Sequence, residues 1–166
     1  MTRPTHRAGK DRRAAGVPEE TDVSDRMVKV IIAGALVVHG LGHGGALGAL
    51  AWIQVSPGSN AGAWLAARSW LAPSLSSNTA TTLASAFWLV SLVGFVIAAM
   101  AFWGAIFPRR IWRPVAVGAA LVSTTGIVLF LGTWPAFNTL AALGVNIAVL
   151  VGVGWLRLPA EATPGT

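Results

Sequence analysis

The chain has no cysteine among its 166 residues. A disulfide, a thiolate metal site and dithiol exchange are therefore excluded, and with them the quinone-linked disulfide oxidoreductases of membranes. Charge is the second scarcity, at 11% of residues, and the six carboxylates all lie near the ends: Asp11, Glu19, Glu20, Asp22, Asp25 and Glu161. An interior without carboxylates argues against a proton- or sodium-coupled transporter of the usual kind. There is also no Gly-rich phosphate loop, no nucleophile paired with a base and no nucleic-acid-binding pattern. The net charge of +6 is then a matter of topology, and no nucleic acid partner is expected.

What is present is oil. Apolar residues make up 54% of the chain, outside the ordinary soluble range, so the lipid bilayer is the expected surrounding. Residues 1–25 carry five basic and five acidic side chains and read as a disordered cytoplasmic tail. From Val30 to Ile53 no charge appears; at 1.5 Å per residue this run gives about 36 Å of helix against a hydrocarbon core of about 30 Å. Further uncharged stretches follow Arg68 and Arg113. The second of these is too long for one crossing and breaks at Thr133-Trp134-Pro135, where proline suits the first turn of a new helix. The pattern predicts an all-α, polytopic membrane protein: an antiparallel four-helix transmembrane domain over 26–157, with spans at about 28–53, 79–107, 111–132 and 136–156 and a short cytoplasmic tail at 158–166. Asn78 or Thr79 is the expected N-cap of the second span.

Arg26, Lys29, Arg109, Arg110, Arg113 and Arg157 fall on one side of these spans and Arg68 alone on the other. That asymmetry places both termini in the cytoplasm and the protein in the cell (inner) membrane. Trp52, Trp103, Trp112, Trp134 and Trp155 come near span ends, as an aromatic belt requires, with Trp88 deeper. A cleaved signal peptide ending near Ala49-Leu50-Ala51 is the rival reading of the first span. The apolar run there is longer than the roughly 7 to 15 residues of a signal core, so a retained span is expected. In the first outer loop, Trp64, Leu65, Arg68 and Leu71 follow helical spacing and predict a short interfacial helix. Arg68 is either a lipid contact or the holder of an outer-face anion.

The most unusual stretch is VHGLGHGGALGALAW, Val38 to Trp52. His39 and His43 stand four apart on one helical face, while Gly40, Gly44 and Gly48 form a small-residue stripe beside them. A second such stripe, Gly144, Ala148 and Gly152, runs opposite Asn146 in the fourth span. Buried imidazoles need partners, since an unsatisfied polar group in hydrocarbon costs several kcal/mol. One account has them hydrogen-bonded to Ser91, Ser123, Thr124, Thr125 or Asn146 as structural glue. Another makes them ligands of a transition metal or haem, or proton carriers. Two imidazoles on one face are too few for a closed metal site, and neither cofactor is required.

The VHGLGH motif in the first of four spans, the basic start and the short chain loosely resemble the small four-helix DoxX-like membrane proteins of bacteria; the richness in Ala, Gly and Arg fits a high-GC bacterial source. That resemblance covers topology over 27–156 and implies no functional residue. The leading expectation is a non-enzymatic structural or accessory subunit of a homo-oligomer or of an assembly with other membrane subunits. The alternatives are a metal-, haem- or quinone-handling protein using His39 and His43, and a small-molecule permease.

Overall fold

The computed structural model describes residues 20–56 and 66–159. Within them the chain is all helical: α1 (Glu20–Val55), α2 (Ser77–Trp103), a 3-10 turn at Arg109–Ile111 leading into α3 (Trp112–Leu129), and α4 (Ala136–Ala148), which continues as a π-helical segment, Val149–Trp155. Four helices are long and apolar enough to cross a membrane: Arg26–Val55, Ser77–Trp103, Arg109–Leu129 and Ala136–Trp155. α1 packs along α2, α2 along α3, and α3 along α4 and its π-helical extension.

Two apolar clusters fix the up-and-down order. One joins Leu36 midway along α1, Phe95 and Ala98 late in α2, Trp112 and Ala116 at the start of α3, and Val149 past the end of α4. The other joins Leu50 late in α1, Ala84 and Trp88 early in α2, Ile127 late in α3, and Ala142 in α4. Alanine is the commonest residue in both, since small side chains let the helices approach closely. The closest approaches use glycine. A Cβ on Gly94 would lie 2.8 Å from Ala119 Cβ, and one on Gly126 would lie 2.7 Å from Phe87 Cβ. Neither distance is compatible with a side chain unless a helix moves.

Helix ends differ from the sequence expectation for local reasons. The N-cap of α2 is Ser76, not Asn78 or Thr79: its Oγ accepts from the Thr79 amide at 3.2 Å. α2 stops at Trp103 rather than near 107, because Gly104 adopts φ 73° and the amides of Gly104 and Ala105 close back onto Ala101 and Met100, a Schellman-type ending. α3 ends at Leu129, and Gly132, at φ 87°, turns the chain toward Pro135 and α4. α1 begins at Glu20, inside the stretch expected as tail; residues 1–19 and 160–166 of the two expected tails lie outside the described residues.

The interfacial helix of the first loop needs correction. Trp64 and Leu65 lie outside the described residues, and residues 66–76, which include Arg68 and Leu71, are not helical. Ser69 Oγ accepts from the Ala72 amide at 3.3 Å, which sets up a turn ahead of Pro73. Trp70 Nε1 donates to the Val128 carbonyl at 2.6 Å, using one of the carbonyls the end of α3 leaves free. The aromatic belt is also only partial. Trp155 is 84% exposed and Trp52 and Trp103 face outward, whereas Trp112 and Trp134 are buried.

Candidate functional site

Between the two apolar clusters lies a polar layer. The i, i+4 spacing on α1 directs both His39 and His43 inward, with ring centroids 5.0 Å apart. Phe95 of α2 supports them: the His39 ring meets it edge-on at 4.6 Å and the His43 ring lies parallel to it at 6.1 Å. On the far side Trp134 packs 5.3 Å from the His43 ring.

The nitrogens and oxygens form one chain of hydrogen bonds across three helices. His39 Nε2 lies 2.9 Å from Asn146 Oδ1; Asn146 Nδ2 donates to Ser123 Oγ at 2.8 Å; and Ser123 Oγ lies 3.0 Å from His43 Nε2. Chemistry gives this chain a direction. An amide oxygen only accepts, so His39 carries its proton on Nε2. Ser123 receives a hydrogen from Asn146 and has one of its own, which is satisfied by donation to His43 Nε2. The His43 proton then sits on Nδ1, and that atom is buried with no hydrogen-bond partner among the described residues. The carboxamide also makes the chain a poor proton wire. It accepts at oxygen and donates at nitrogen, and shuttling a proton between them demands an imidic acid form.

His39 and His43 therefore each commit Nε2 to the bundle, which leaves a shared metal only their other nitrogens. Among the described residues no group of three or more His, Cys, Asp or Glu side chains comes together. Of the other polar candidates, Ser91 donates to the Phe87 carbonyl at 2.7 Å and Thr125 to the Leu121 carbonyl at 2.9 Å, both satisfied along their own helices. Thr124 Oγ1 is buried with no partner among the described residues and stands outside the histidine chain.

A cleft of about 390 Å³ runs beside this layer, lined by Ala35, His39, Gly42 and His43 of α1, by Trp134, and by Asn138, Ala141 and Val145 of α4. The order of packing explains it: each helix lies against its sequence neighbour, and the first and last helices face each other across a gap that the His39–Asn146 hydrogen bond spans. The small side chains of Ala35, Gly42 and Ala141 do not fill that gap.

The expected packing stripes divide. Gly40 is used: a Cβ there would meet Phe95 Cβ at 3.2 Å and the Leu92 carbonyl at 3.3 Å, while at Gly44 the Leu92 methyls come to 3.7 Å. Gly48, Gly144 and Gly152 have nothing within 4 Å of where a Cβ would stand, and Ala148 is exposed. Among the described residues nothing occupies the space beside these three glycines. Gly94 and Gly126, which do pack, sit on α2 and α3. Gly94 falls in a small-residue series with Ser91, Ala98 and Ala101 that spacing does single out, whereas Gly126 belongs to no such series.

Comparison with models of known protein families, with characterised proteins and with solved structures finds no match to this chain. The likeness to DoxX-like proteins therefore stays at the level of layout and one motif.

Proposed function

We propose that this protein is a membrane-embedded, non-enzymatic binding component that takes a small lipid-soluble molecule into the cleft between α1 and α4. The observation that carries this reading is His43, which lines that cleft and whose buried Nδ1 has no hydrogen-bond partner among the described residues. An orphaned donor in an apolar setting costs about 1–3 kcal/mol, a cost that a ligand offering an acceptor would remove. The favoured ligands thus carry a carbonyl or ether oxygen on an apolar body, the class to which quinones belong. A volume of about 390 Å³ is within the range of small-molecule pockets.

Trp134 lines the cleft, and quinones quench indole fluorescence, which supplies the test. Purified full-length protein in detergent, titrated with a short-chain benzoquinone, is expected to show saturable quenching that Trp134→Phe diminishes. Ala141→Leu, an exposed position on the cleft wall, is expected to remove the saturable part while leaving thermal unfolding unchanged. Equal quenching in Ala141→Leu and the parent would end the proposal.

A second reading, an accessory subunit of a homo-oligomer or larger assembly, is favoured by the open space at Gly48, Gly144 and Gly152. Small residues facing outward permit close approach by another helix. Native mass spectrometry separates the two, since the second requires a partner and the first does not. In either case the basic side chains near 26–29, 109–113 and 157 favour cytoplasmic termini in a cell membrane. A single cysteine replacing the exposed Ser74 is then labelled from outside by an impermeant reagent.

A further inference from the structure

Arg68 presents an unbalanced charge. The nearest carboxylates in the sequence are Asp25 and Glu161, and each is separated from it by an odd number of the four helices, hence expected at the opposite end of the bundle. No hydrogen bond or ion pair holds Arg68 among the described residues, and it lines a recess of about 550 Å³ together with Ala66, Leu131, Gly132 and Thr133. Thr133 brings the second observation. It is 2% exposed, and its Oγ1 is buried with no hydrogen-bond partner among the described residues. At the turn that places it, Gly132 adopts φ 87° and the Thr133 amide donates to the Phe130 carbonyl at 3.2 Å, which leaves the hydroxyl to find a partner elsewhere.

An arginine without a counterion and a threonine whose hydroxyl has no acceptor among the described residues line one recess. We infer that Arg68 and Thr133 form a binding site for a single phosphate group. The guanidinium supplies a planar fork of N–H donors matched to two phosphate oxygens, and the hydroxyl donates to a third. Ala66 and Leu131 give the recess an apolar wall, which fits a phosphate carried by a lipid headgroup as well as a free ion. The site is separate from the α1–α4 cleft and stands whether or not that cleft binds a ligand.

The test uses the full chain in a neutral detergent, with binding measured for inorganic phosphate, for short-chain phosphatidylglycerol and for short-chain phosphatidylcholine. Arg68→Gln is expected to weaken the tightest-binding probe about tenfold, the loss of one charge-assisted contact. Thr133→Val is expected to weaken it a few-fold and Thr133→Ser to retain it. Arg110→Gln, an exposed arginine outside the recess, is the control and is expected to change nothing. Competition by inorganic phosphate against the lipid identifies a site for the free ion; lipid binding that phosphate does not displace identifies a headgroup site. Unchanged affinity in Arg68→Gln, an equal loss in Arg110→Gln, or no saturable binding of any probe overturns the assignment. Melting temperatures measured without ligand separate lost binding from lost fold.

Discussion

The seam between α2 and α3 and the seam between α1 and α4 are built from similar residues and end up unlike. In the first, Gly94 and Gly126 let Ala119 Cβ and Phe87 Cβ come within 3 Å of where a glycine side chain would begin. In the second, Gly42 and Ala141 leave a gap, and the hydrogen bond from His39 to Asn146 crosses it. Small residues thus permit close approach without causing it. What causes it is the facing surface: a Phe or Ala that fits into the notch closes the α2–α3 seam, and its absence leaves α1–α4 open. Hydrogen bonds tie the open seam; interlocking side chains tie the closed one.

Substitutions sharpen this contrast, and the largest effect is expected in the closed seam. Gly126→Leu should lower the unfolding free energy by about 3 kcal/mol or prevent folding, because Phe87 leaves no room for a side chain; thermal unfolding in detergent measures it. Next comes Asn146→Leu, which severs the polar chain at its centre, strands His39 Nε2 and removes the donor to Ser123 Oγ, at about 2 kcal/mol. Ser123→Ala removes a hydroxyl at the junction and should cost about 1 kcal/mol. A double-mutant cycle between His39→Leu and Asn146→Leu should show the two losses to be less than additive, since they share one bond. At the bottom of the scale, Gly144→Leu should change stability by less than about 0.5 kcal/mol, because that position faces open space. If Gly144→Leu were as damaging as Gly126→Leu, the division into open and closed seams would be wrong. If it left the monomer's stability alone but dissolved an oligomer, the accessory-subunit reading would gain its direct support.

Much of the architecture is legible in the sequence because the signals are long. Uncharged runs above twenty residues and a proline at 135 mark four spans within a few positions of the helices found. Short signals fail where a single contact decides. The loop sequence around Trp64 to Leu71 has helical spacing, yet Ser69 capping the Ala72 amide and Pro73 behind it make 66–76 irregular. Trp134 has the position of a belt residue but turns inward, because His43 and Trp88 offer it a ring-lined niche, at 5.3 and 5.2 Å. For the polar layer, composition named the participants but not the pairing. Ser123 and Thr124 are neighbours of similar polarity, and only the rotation of α3 tells which one faces His43. The cleft had no signal at all, since a gap is a property of two surfaces that fail to meet.

His39 and Asn146 join the first and last helices by a single hydrogen bond. A bond of about 1 kcal/mol is less than twice the thermal energy, so it acts as a latch that ambient motion lifts often. α1 stays packed on α2 and tied to α3 through His43 and Ser123, so only the His39 edge of the cleft loosens when the latch lifts. If the cleft binds as proposed, guests dissolved in surrounding lipid would gain entry sideways past that edge without any helix unwinding, and the same bond would reform behind them.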